Sequence, residues 1–240
     1  MSNNVFKRVE VKFLLDARQR AALERAMREH MEADEYGEST ICSLYYDTPD
    51  SRLIRRSLEK PMYKEKLRLR SYGTAKPDGN IYIELKKKYD GIVYKRRISM
   101  KEREATAWLA GRMERPQDSQ IAREVEWFRD FYGDLEPAMM MCYDRIAYFC
   151  PTDEDLRITL DRNIRWRTED LTLTAAPWGE QLLRPGQSLL EIKCAGAMPL
   201  WLVKALSDNG IRRTSFSKYG TAYTITQERK DMPKGGMYCA

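Results

Sequence analysis

The sequence predicts an α+β domain rich in antiparallel strands, and three observations carry that expectation. Lys64-Glu65-Lys66-Leu67-Arg68-Leu69-Arg70 places a basic residue at every second position. Ile81-Tyr82-Ile83-Glu84-Leu85-Lys86-Lys87-Lys88 divides into one parity of Tyr82, Glu84, Lys86 and Lys88 and another that begins Ile81, Ile83, Leu85. Asp90-Gly91 is the strongest two-residue hairpin signal in the chain, with Ile92 to Met100 as the returning strand. Strand side chains alternate between faces, so each charged run has one charged and one largely apolar face. The usual meaning is a half-solvated sheet with its charges in water. The alternative is a closed sheet whose lumen carries the charges and whose apolar face is covered by helices, which makes a basic passage for a polyanion.

The elements follow in order. Val5 to Leu15 sets Arg8, Glu10 and Lys12 against Val9, Val11 and Phe13, the pattern of a first strand. Asp16 is placed to cap a helix with Leu23, Ala26 and Met27 at helical spacing. Ile41 to Asp47 reads as a strand, Thr48-Pro49-Asp50 ends it, and a short helix runs to about Ser57. Strands at 64–73 and 80–90 are joined by a loop of turn residues from Gly73 to Gly79. Helices are expected from Lys101 to about Met113 and from Ser119 to Tyr132, broken apart by Arg115-Pro116. Strands resume at 138–149, 156–167, 171–174 and 188–194, and a helix over 199–209 stops at Gly210. Residues 213–218 form a loop or short strand, followed by a last helix over 219–228 and a loose tail over 230–240. No linker or repeat divides the chain, so residues 1–229 are expected to form one domain.

Composition narrows the function. The 42 Lys and Arg exceed the 36 Asp and Glu by only six charges, which suggests an anionic partner without the dense basic cluster of a nucleic-acid binder. Cys42, Cys142, Cys150, Cys194 and Cys239 are scattered and His30 is the sole histidine, so a structural zinc site is disfavoured and free thiols in a reducing cytoplasm are expected. The amino terminus lacks a signal peptide's apolar stretch and no window is apolar enough to span a membrane, which points to a cytoplasmic location. Phosphate-binding Gly-rich loops, dinucleotide fingerprints and nucleophile elbows are absent from the sequence, and His30, on a charged helix, reads as a surface residue.

What remains is a set of charged side chains spaced by two. They are Arg8, Glu10 and Lys12; Lys66, Arg68 and Arg70; Glu84, Lys86 and Lys88; Lys95 and Arg97; Tyr143 and Arg145; Arg157 and Asp161; Glu191 and Lys193. Like charges opposite one another destabilise a sheet, and a polyanionic ligand removes that repulsion. Arg forks and Lys ammoniums are common phosphate ligands. A glutamate among cations, such as Glu191, suits Mg²⁺ or Mn²⁺ bridging to phosphate oxygens. Phosphoryl transfer depends mainly on such positioning and charge neutralisation.

Seven motifs in order carry a family resemblance: Arg-Val-Glu-Val-Lys (8–12), Ser-Leu-Tyr-Tyr-Asp (43–47), Lys-Leu-Arg-Leu-Arg-Ser-Tyr-Gly (66–73), Ile-Glu-Leu-Lys (83–86), Tyr-Asp-Arg (143–145), Leu-Glu-Ile-Lys (190–193) and Ser-Phe-Ser-Lys-Tyr (215–219). From about residue 5 to 226 the chain resembles the VTC polyphosphate polymerase domain, a member of the CYTH-like triphosphate tunnel metalloenzymes. The resemblance implies an antiparallel eight-stranded β-barrel tunnel with helices packed outside. It implies a Mn²⁺- or Mg²⁺-dependent transfer of the γ-phosphate of ATP to a growing polyphosphate chain. By motif, Arg68, Arg70, Lys86, Arg145 and Lys218 would grip the triphosphate, Lys12 would be a further phosphate ligand, and Glu191 the metal carboxylate. Lys66, Lys88, Lys95, Arg97, Tyr143, Arg157, Lys193 and Ser217 are expected phosphate contacts, with Glu10 and Glu84 as further metal candidates. In the 92–99 strand both parities carry a cation, Lys95 and Arg97 on one and Arg96 on the other, so the inward face stays open.

One departure bears on the reaction. The wider superfamily begins Glu-x-Glu-x-Lys, but Arg8 stands at the first position here, which fits a polymerase better than a two-metal hydrolase. The alternatives are a tripolyphosphatase or nucleoside triphosphatase, and a non-catalytic polyphosphate or nucleotide sensor. ATP and polyphosphate are the expected ligands, nucleic acid is not, and a separate membrane protein is a possible partner.

Overall fold

The computed structural model describes residues 8–90 and 92–231. The strands are β1 (Arg8–Leu15), β2 (Glu32–Asp47), β3 (Tyr63–Tyr72), β4 (Asn80–Tyr89), β5 (Ile92–Lys101), β6 (Glu136–Cys150), β7 (Asp153–Arg167), β8 (Glu180–Gln181), β9 (Ser188–Ala195) and β10 (Arg213–Thr214). The helices are α1 (Ala17–Met27), α2 (Arg52–Leu58), α3 (Glu102–Leu109), α4 (Gln120–Tyr132), α5 (Leu200–Asp208) and α6 (Lys218–Asp231). All strands belong to one antiparallel sheet in the order β10-β1-β9-β7-β6-β2-β3-β4-β5, with β8 attached to β7.

The expected eight-stranded closed barrel is therefore corrected to a ten-stranded sheet, in which no pairing joins β10 to β5 among the described residues. Register shifts between Ala33 and Glu38 in β2, and between Cys142 and Asp144 in β6, interrupt the ladders, and such bulges bend and twist a sheet. The sheet curls until residues of β1 and β5 line one cavity without hydrogen-bonding each other.

Three apolar clusters hold this curved sheet. On the convex side, Leu67, Leu69, Ile81, Ile83 and Leu85 pack against Trp108 of α3 and Val125 and Phe128 of α4. Val11, Phe13, Ile158, Leu160, Leu190 and Ile192 pack against Leu23 and Met27 of α1 and Leu202 and Leu206 of α5. Burying each such side chain contributes about 1.5–3 kcal/mol, which fixes the apolar parity inward against the helices. The third cluster joins Tyr45, Met139, Met141 and Tyr143 to Ile54 of α2 and to Tyr219 and Ala222 of α6. Tyr45 and Tyr143 share the cavity-lining parity, so α6 lies on the concave side of the sheet.

Asp47, fully buried at the end of β2, ties α2 and α6 to the sheet. Its Oδ1 accepts from the backbone N–H of Thr48 (2.9 Å) and Leu53 (2.8 Å), and its Oδ2 from the N–H of Ile54 (3.0 Å) and the hydroxyl of Tyr219 (2.9 Å). Asp16 caps α1 as expected, its side chain accepting from the Gln19 N–H at 2.8 Å.

Several expected boundaries move. β2 starts at Glu32 rather than Ile41, because pairing with β6 runs on from Thr40 to Glu38 and resumes at Ala33 and Glu32 beyond the bulge, over acidic residues that local propensity disfavours. Residues 171–174 form no strand; Leu173 is buried, its carbonyl accepts one bond from Ala75 N–H at 2.9 Å, and the hydroxyls of Thr172 and Thr174 bond each other. α3 ends at Leu109, four residues before Met113, and Lys101 belongs to β5. α6 reaches Asp231, so the tail expected from 230 begins inside a helix, and 232–240 lie outside the described residues. Val5 to Lys7 and Gly91 also lie outside them, while Asp90 adopts the positive φ of 45° that the hairpin signal anticipates. His30 is half-buried and stacks on Trp201 with centroids 4.4 Å apart, away from the cavity. Cys42 and Cys142 are cross-strand neighbours with Sγ atoms 3.5 Å apart; Cys42, Cys142, Cys150 and Cys194 are free thiols, and Cys239 lies outside the described residues.

Candidate active site

The charged parities of six strands converge. A cavity of about 300 Å³ is lined by Glu10 and Lys12 of β1, Lys66, Arg68 and Arg70 of β3, Glu84 and Lys86 of β4, Lys95 of β5, Tyr143 and Arg145 of β6, and Glu191 and Lys193 of β9. Ser217 and Lys218, at the start of α6, close it from the concave side. A second cavity of about 600 Å³ shares Glu10, Lys12, Lys66, Lys86, Val93 and Ser217 with the first and continues past Lys60, Lys64 and Lys88 to Ser57 and Thr224. The charges thus line a continuous passage rather than a wet outer face.

Within it the cations are organised by two carboxylate centres on opposite walls. Glu84 is only 1% exposed. Its Oε2 accepts from Arg68 Nε at 2.8 Å and lies 3.6 Å from Arg70 Nη1, while Lys95 Nζ and Arg97 Nε stand 2.8 and 3.5 Å from its Oε1. Burial works against the charge, yet Arg68, Arg70 and Lys95 hold the Glu84 carboxyl down to about 2. Arg96 points the other way, to Glu124 of α4, which settles the inward face of β5 as Lys95 and Arg97.

The second centre pairs Asp161 of β7 with Glu191. Asp161 is fully buried and accepts two bonds from Arg145, at 2.6 and 2.7 Å, with Lys218 Nζ 2.5 Å from its Oδ2. Lys218 and Lys12 also reach Glu191 Oε1, at 3.3 and 3.4 Å, and Arg145 lies 3.7 Å from its Oε2. Against the opposing effect of burial, Lys218, Lys12 and Arg145 hold the Glu191 carboxyl well below the usual range. Burial also opposes the charge on Lys218, but Asp161 and Glu191 raise its pKa above the ordinary lysine value.

Between these centres Glu10 is shared by Lys12 and Lys86, and Lys66 has no ion pair among the described residues. Burial, with Lys64, Lys86 and Lys12 nearby, brings Lys66 down to about 8. Tyr45 is likewise brought to about 8, because Arg68, Lys66 and Arg70 outweigh its burial; its hydroxyl accepts from Arg68 Nη1 at 2.9 Å. Tyr45 was not among the expected site residues. Its signal was available, since it continues the parity of Ser43 within Ser-Leu-Tyr-Tyr-Asp. Arg157 is the converse case: it shares the parity of Asp161 and pairs with Lys193, but lies over the ring of its other cross-strand partner Phe149 at 5.5 Å and lines neither cavity. It sits near the start of the long strand β7, where the sheet extends past the cavity. Lys88 lines the second cavity only, and Arg97 meets the passage through Glu84. The side chain of Arg8 lies outside the described residues.

Among the described residues no three His, Cys, Asp or Glu side chains form a metal-type cluster. Glu10 and Glu191 nevertheless converge: Lys12 Nζ is 3.3 Å from the first and 3.4 Å from the second. Two carboxylates fit a Mg²⁺- or Mn²⁺-type ion whose remaining ligands are phosphate oxygens and water. Glu84 differs in that none of its four cationic partners is shared with a second carboxylate among the described residues, so it offers a metal a single ligand, whereas Glu191 shares Lys12 with Glu10.

A family model described as the VTC domain matches residues 7–227. The chain belongs to the VTC domain family. It is 28% identical over 155 residues to vacuolar transporter chaperone complex subunit 4 of Schizosaccharomyces pombe, covering 55% of this chain and 21% of that protein. It is 24% identical over 164 residues to the subunit of the same name from Trypanosoma brucei brucei, covering 57% of this chain and 21% of that protein. The VTC domain chain thus spans about a fifth of the length of these curated relatives. Among solved structures, an adenylate cyclase candidate from Bacillus halodurans superposes with a TM-score of 0.52 at 14% identity, over 88% of this chain and 93% of that one. An adenylyl cyclase candidate from Hippeastrum, described as having a dominant triphosphatase activity, gives 0.52 at 17% identity, over 91% and 96%. These neighbours have triphosphate tunnel folds, and the likeness is one of fold.

The internal carboxylate of this VTC domain has a measurable consequence. Glu84 occupies the anion position that a triphosphate would compete for, so Glu84→Gln is expected to destabilise the ligand-free protein by about 3 kcal/mol. The same change should tighten tripolyphosphate binding by about tenfold and let the ligand restore stability. Thermal melts and calorimetry with and without tripolyphosphate check both; unchanged affinity would show that Glu84 does not compete.

A pH dependence follows from Lys66. Its pKa, about 8 in the free fold, is expected to rise when phosphate neutralises its surroundings, so binding takes up a proton above pH 8. Affinity for tripolyphosphate should then weaken as pH rises from 8 to 9, by at most about tenfold. Tyr45 ionising in the same range acts in the same direction. Lys66→Met combined with Tyr45→Phe should flatten the profile, and an unaltered slope would assign it elsewhere.

Proposed function

We propose that this VTC domain is a metal-dependent polyphosphate polymerase, which transfers the terminal phosphoryl group of ATP to a polyphosphate chain lying in the passage. The observation that carries this reading is the convergence of Lys12, Lys66, Arg68, Arg70, Lys86, Arg145 and Lys218 on one cavity that also holds Glu191 and adjoins a second. Seven cations from four strands and a helix supply the Arg forks and Lys ammoniums that a triphosphate and an incoming phosphate chain would need.

In this reading Arg68, Arg70 and Lys86 hold the donor triphosphate from one wall, while Arg145, Lys218 and Lys12 hold it from the other. Lys66 lies between the two cavities and spans donor and acceptor. A terminal phosphate oxygen of the acceptor attacks the γ-phosphorus, the bond to the β-bridging oxygen breaks, and ADP leaves. A divalent ion held by Glu191 and Glu10 would neutralise charge on the phosphate oxygens when bound. The acceptor oxygen is already anionic at neutral pH, so no general base is required. This suits the lumen, where Glu10, Glu84 and Glu191 are all held below their ordinary range and are weak bases.

A triphosphatase is the second reading. The observation favouring it is that Arg68, Arg70, Arg145 and Lys218 line the first cavity and not the second, so a triphosphate can be held there with no acceptor chain beside it. The Hippeastrum fold neighbour adds the precedent of its printed triphosphatase activity. Incubating the protein with ATP and Mn²⁺ and resolving the products on a gel separates the possibilities. Long polyphosphate chains are expected. Free phosphate without chains would replace the polymerase by the hydrolase, and tight binding without turnover would leave a sensor.

No helix among the described residues is long and apolar enough to cross a membrane. By the names of its relatives, subunits of a transporter complex, this domain is proposed to work at the cytoplasmic side with a separate membrane protein.

A further inference from the structure

The turn between β4 and β5 is unlike the rest of the surface. Ile92, Val93 and Tyr94 are consecutive and 42%, 46% and 49% exposed, and Tyr89 across the turn is 51% exposed. A strand that packs on one side alternates apolar and polar residues, whereas these three consecutive apolar residues each leave nearly half of their surface in solvent. Asp90 N–H donates to the Met62 carbonyl at 3.0 Å, which adds the 66% exposed Met62 to the same tip. Register pairs Tyr63 with Tyr89, Tyr89 with Ile92 and Lys87 with Tyr94, so Tyr63, Tyr89, Ile92 and Tyr94 share one face, while Val93 pairs with Lys88 on the opposite, cavity-lining face.

Lysines outnumber acids around it. Lys60, Lys64, Lys87 and Lys88 stand around the patch, and none of the four is in an ion pair among the described residues. Asp90 and Glu59 are the nearby exposed acids. β5 is also the free edge of the sheet, where a second copy could add a strand. Such pairing would bring Lys95, Arg96 and Arg97 of both copies together, so charge disfavours it.

We infer that this tip is a docking surface for an anionic phospholipid membrane, with Met62, Tyr89, Ile92 and Tyr94 entering the interfacial layer and the four lysines meeting headgroup phosphates. Aromatic and aliphatic side chains ringed by lysines are the composition of interfacial anchors, and each signal alone gives only weak, reversible binding. Val93 and Lys88 line the second cavity together with Lys60 and Lys64, so docking at the tip sets that mouth of the passage against the membrane. The inference stands on exposure and charge and does not depend on which reaction the passage performs.

The test is co-sedimentation of the full chain with phosphatidylcholine vesicles, plain or containing about one third phosphatidylserine. Binding to the anionic vesicles only is expected, with affinity falling as salt rises. Tyr89→Ser combined with Ile92→Ser should weaken it about tenfold or more, while melting temperature and tripolyphosphate affinity stay unchanged. Saturating tripolyphosphate should leave vesicle binding in place. No binding to anionic vesicles overturns the inference, as does binding that survives the double substitution. Binding abolished by tripolyphosphate would mean that lumen cations had captured headgroups, and light scattering that shows a dimer lost in the variant would make a second copy the occupant.

Discussion

Glu191→Gln is expected to lower metal-dependent turnover by about a hundredfold or more while the protein remains folded and binds tripolyphosphate. Glu191 is the buried carboxylate that Lys12, Lys218 and Arg145 all approach, and it converges with Glu10 at Lys12. Glutamine keeps its volume but removes the charge that would hold a divalent ion against the phosphates. The fold survives because Asp161 still neutralises Arg145 and Lys218 through its two hydrogen bonds and close ion pair. Tripolyphosphate binding survives because the change removes a negative charge from a cationic lumen. Steady-state turnover across a Mn²⁺ titration, with calorimetry of tripolyphosphate in parallel, reads the two effects separately. Unchanged turnover would remove Glu191 from the reaction; loss of binding together with a lowered melting temperature would make its role structural.

Asp47→Ala is expected to produce the largest loss of stability, about 3–5 kcal/mol. The substitution leaves the N–H groups of Thr48, Leu53 and Ile54 and the hydroxyl of Tyr219 without their acceptor in a buried site. Each stranded donor costs about 1–3 kcal/mol, and partial solvation of the loosened α2 start limits the sum. Function should suffer as well, because Tyr219 adjoins Lys218 and stacks on Tyr45 with centroids 4.6 Å apart. Urea denaturation measures the first effect and tripolyphosphate affinity the second. A loss below about 1 kcal/mol would show that water replaces the carboxylate.

How much of this was legible in the sequence depends on the distance over which each feature is decided. The strand faces were readable because parity is local: Arg68, Arg70, Glu84 and Lys86 fall on the side that alternation assigns them. The hairpin at Asp90 and the cap at Asp16 were readable for the same reason. The counter-ion roles were not, since Arg145 and Asp161 are 16 residues apart and Lys218 reaches Asp161 from a helix at the far end of the chain. Glu84 looked like a metal candidate because sequence shows a glutamate among cations without showing that none of its partners is shared with a second carboxylate among the described residues. The long first half of β2 was missed because its pairing with β6, rather than its own composition, makes it a strand. Residues 171–174 show the reverse, an alternating pattern with no partner strand to complete it.

By itself the sequence determined which side chains share a face, the balance of charge, and membership of a family, because period-two patterning and motif order need no knowledge of distant contacts. The tertiary structure decided that the charged face is concave and that α6 closes it with Lys218. It also decided that the sheet curls through ten strands without joining its edges. Curvature comes from bulges and from the packing of helices on the convex side, and neither is encoded in any one strand. The same long-range geometry separates the cations held by Glu84, Asp161 and Glu191 from Lys66, which has no carboxylate partner among the described residues.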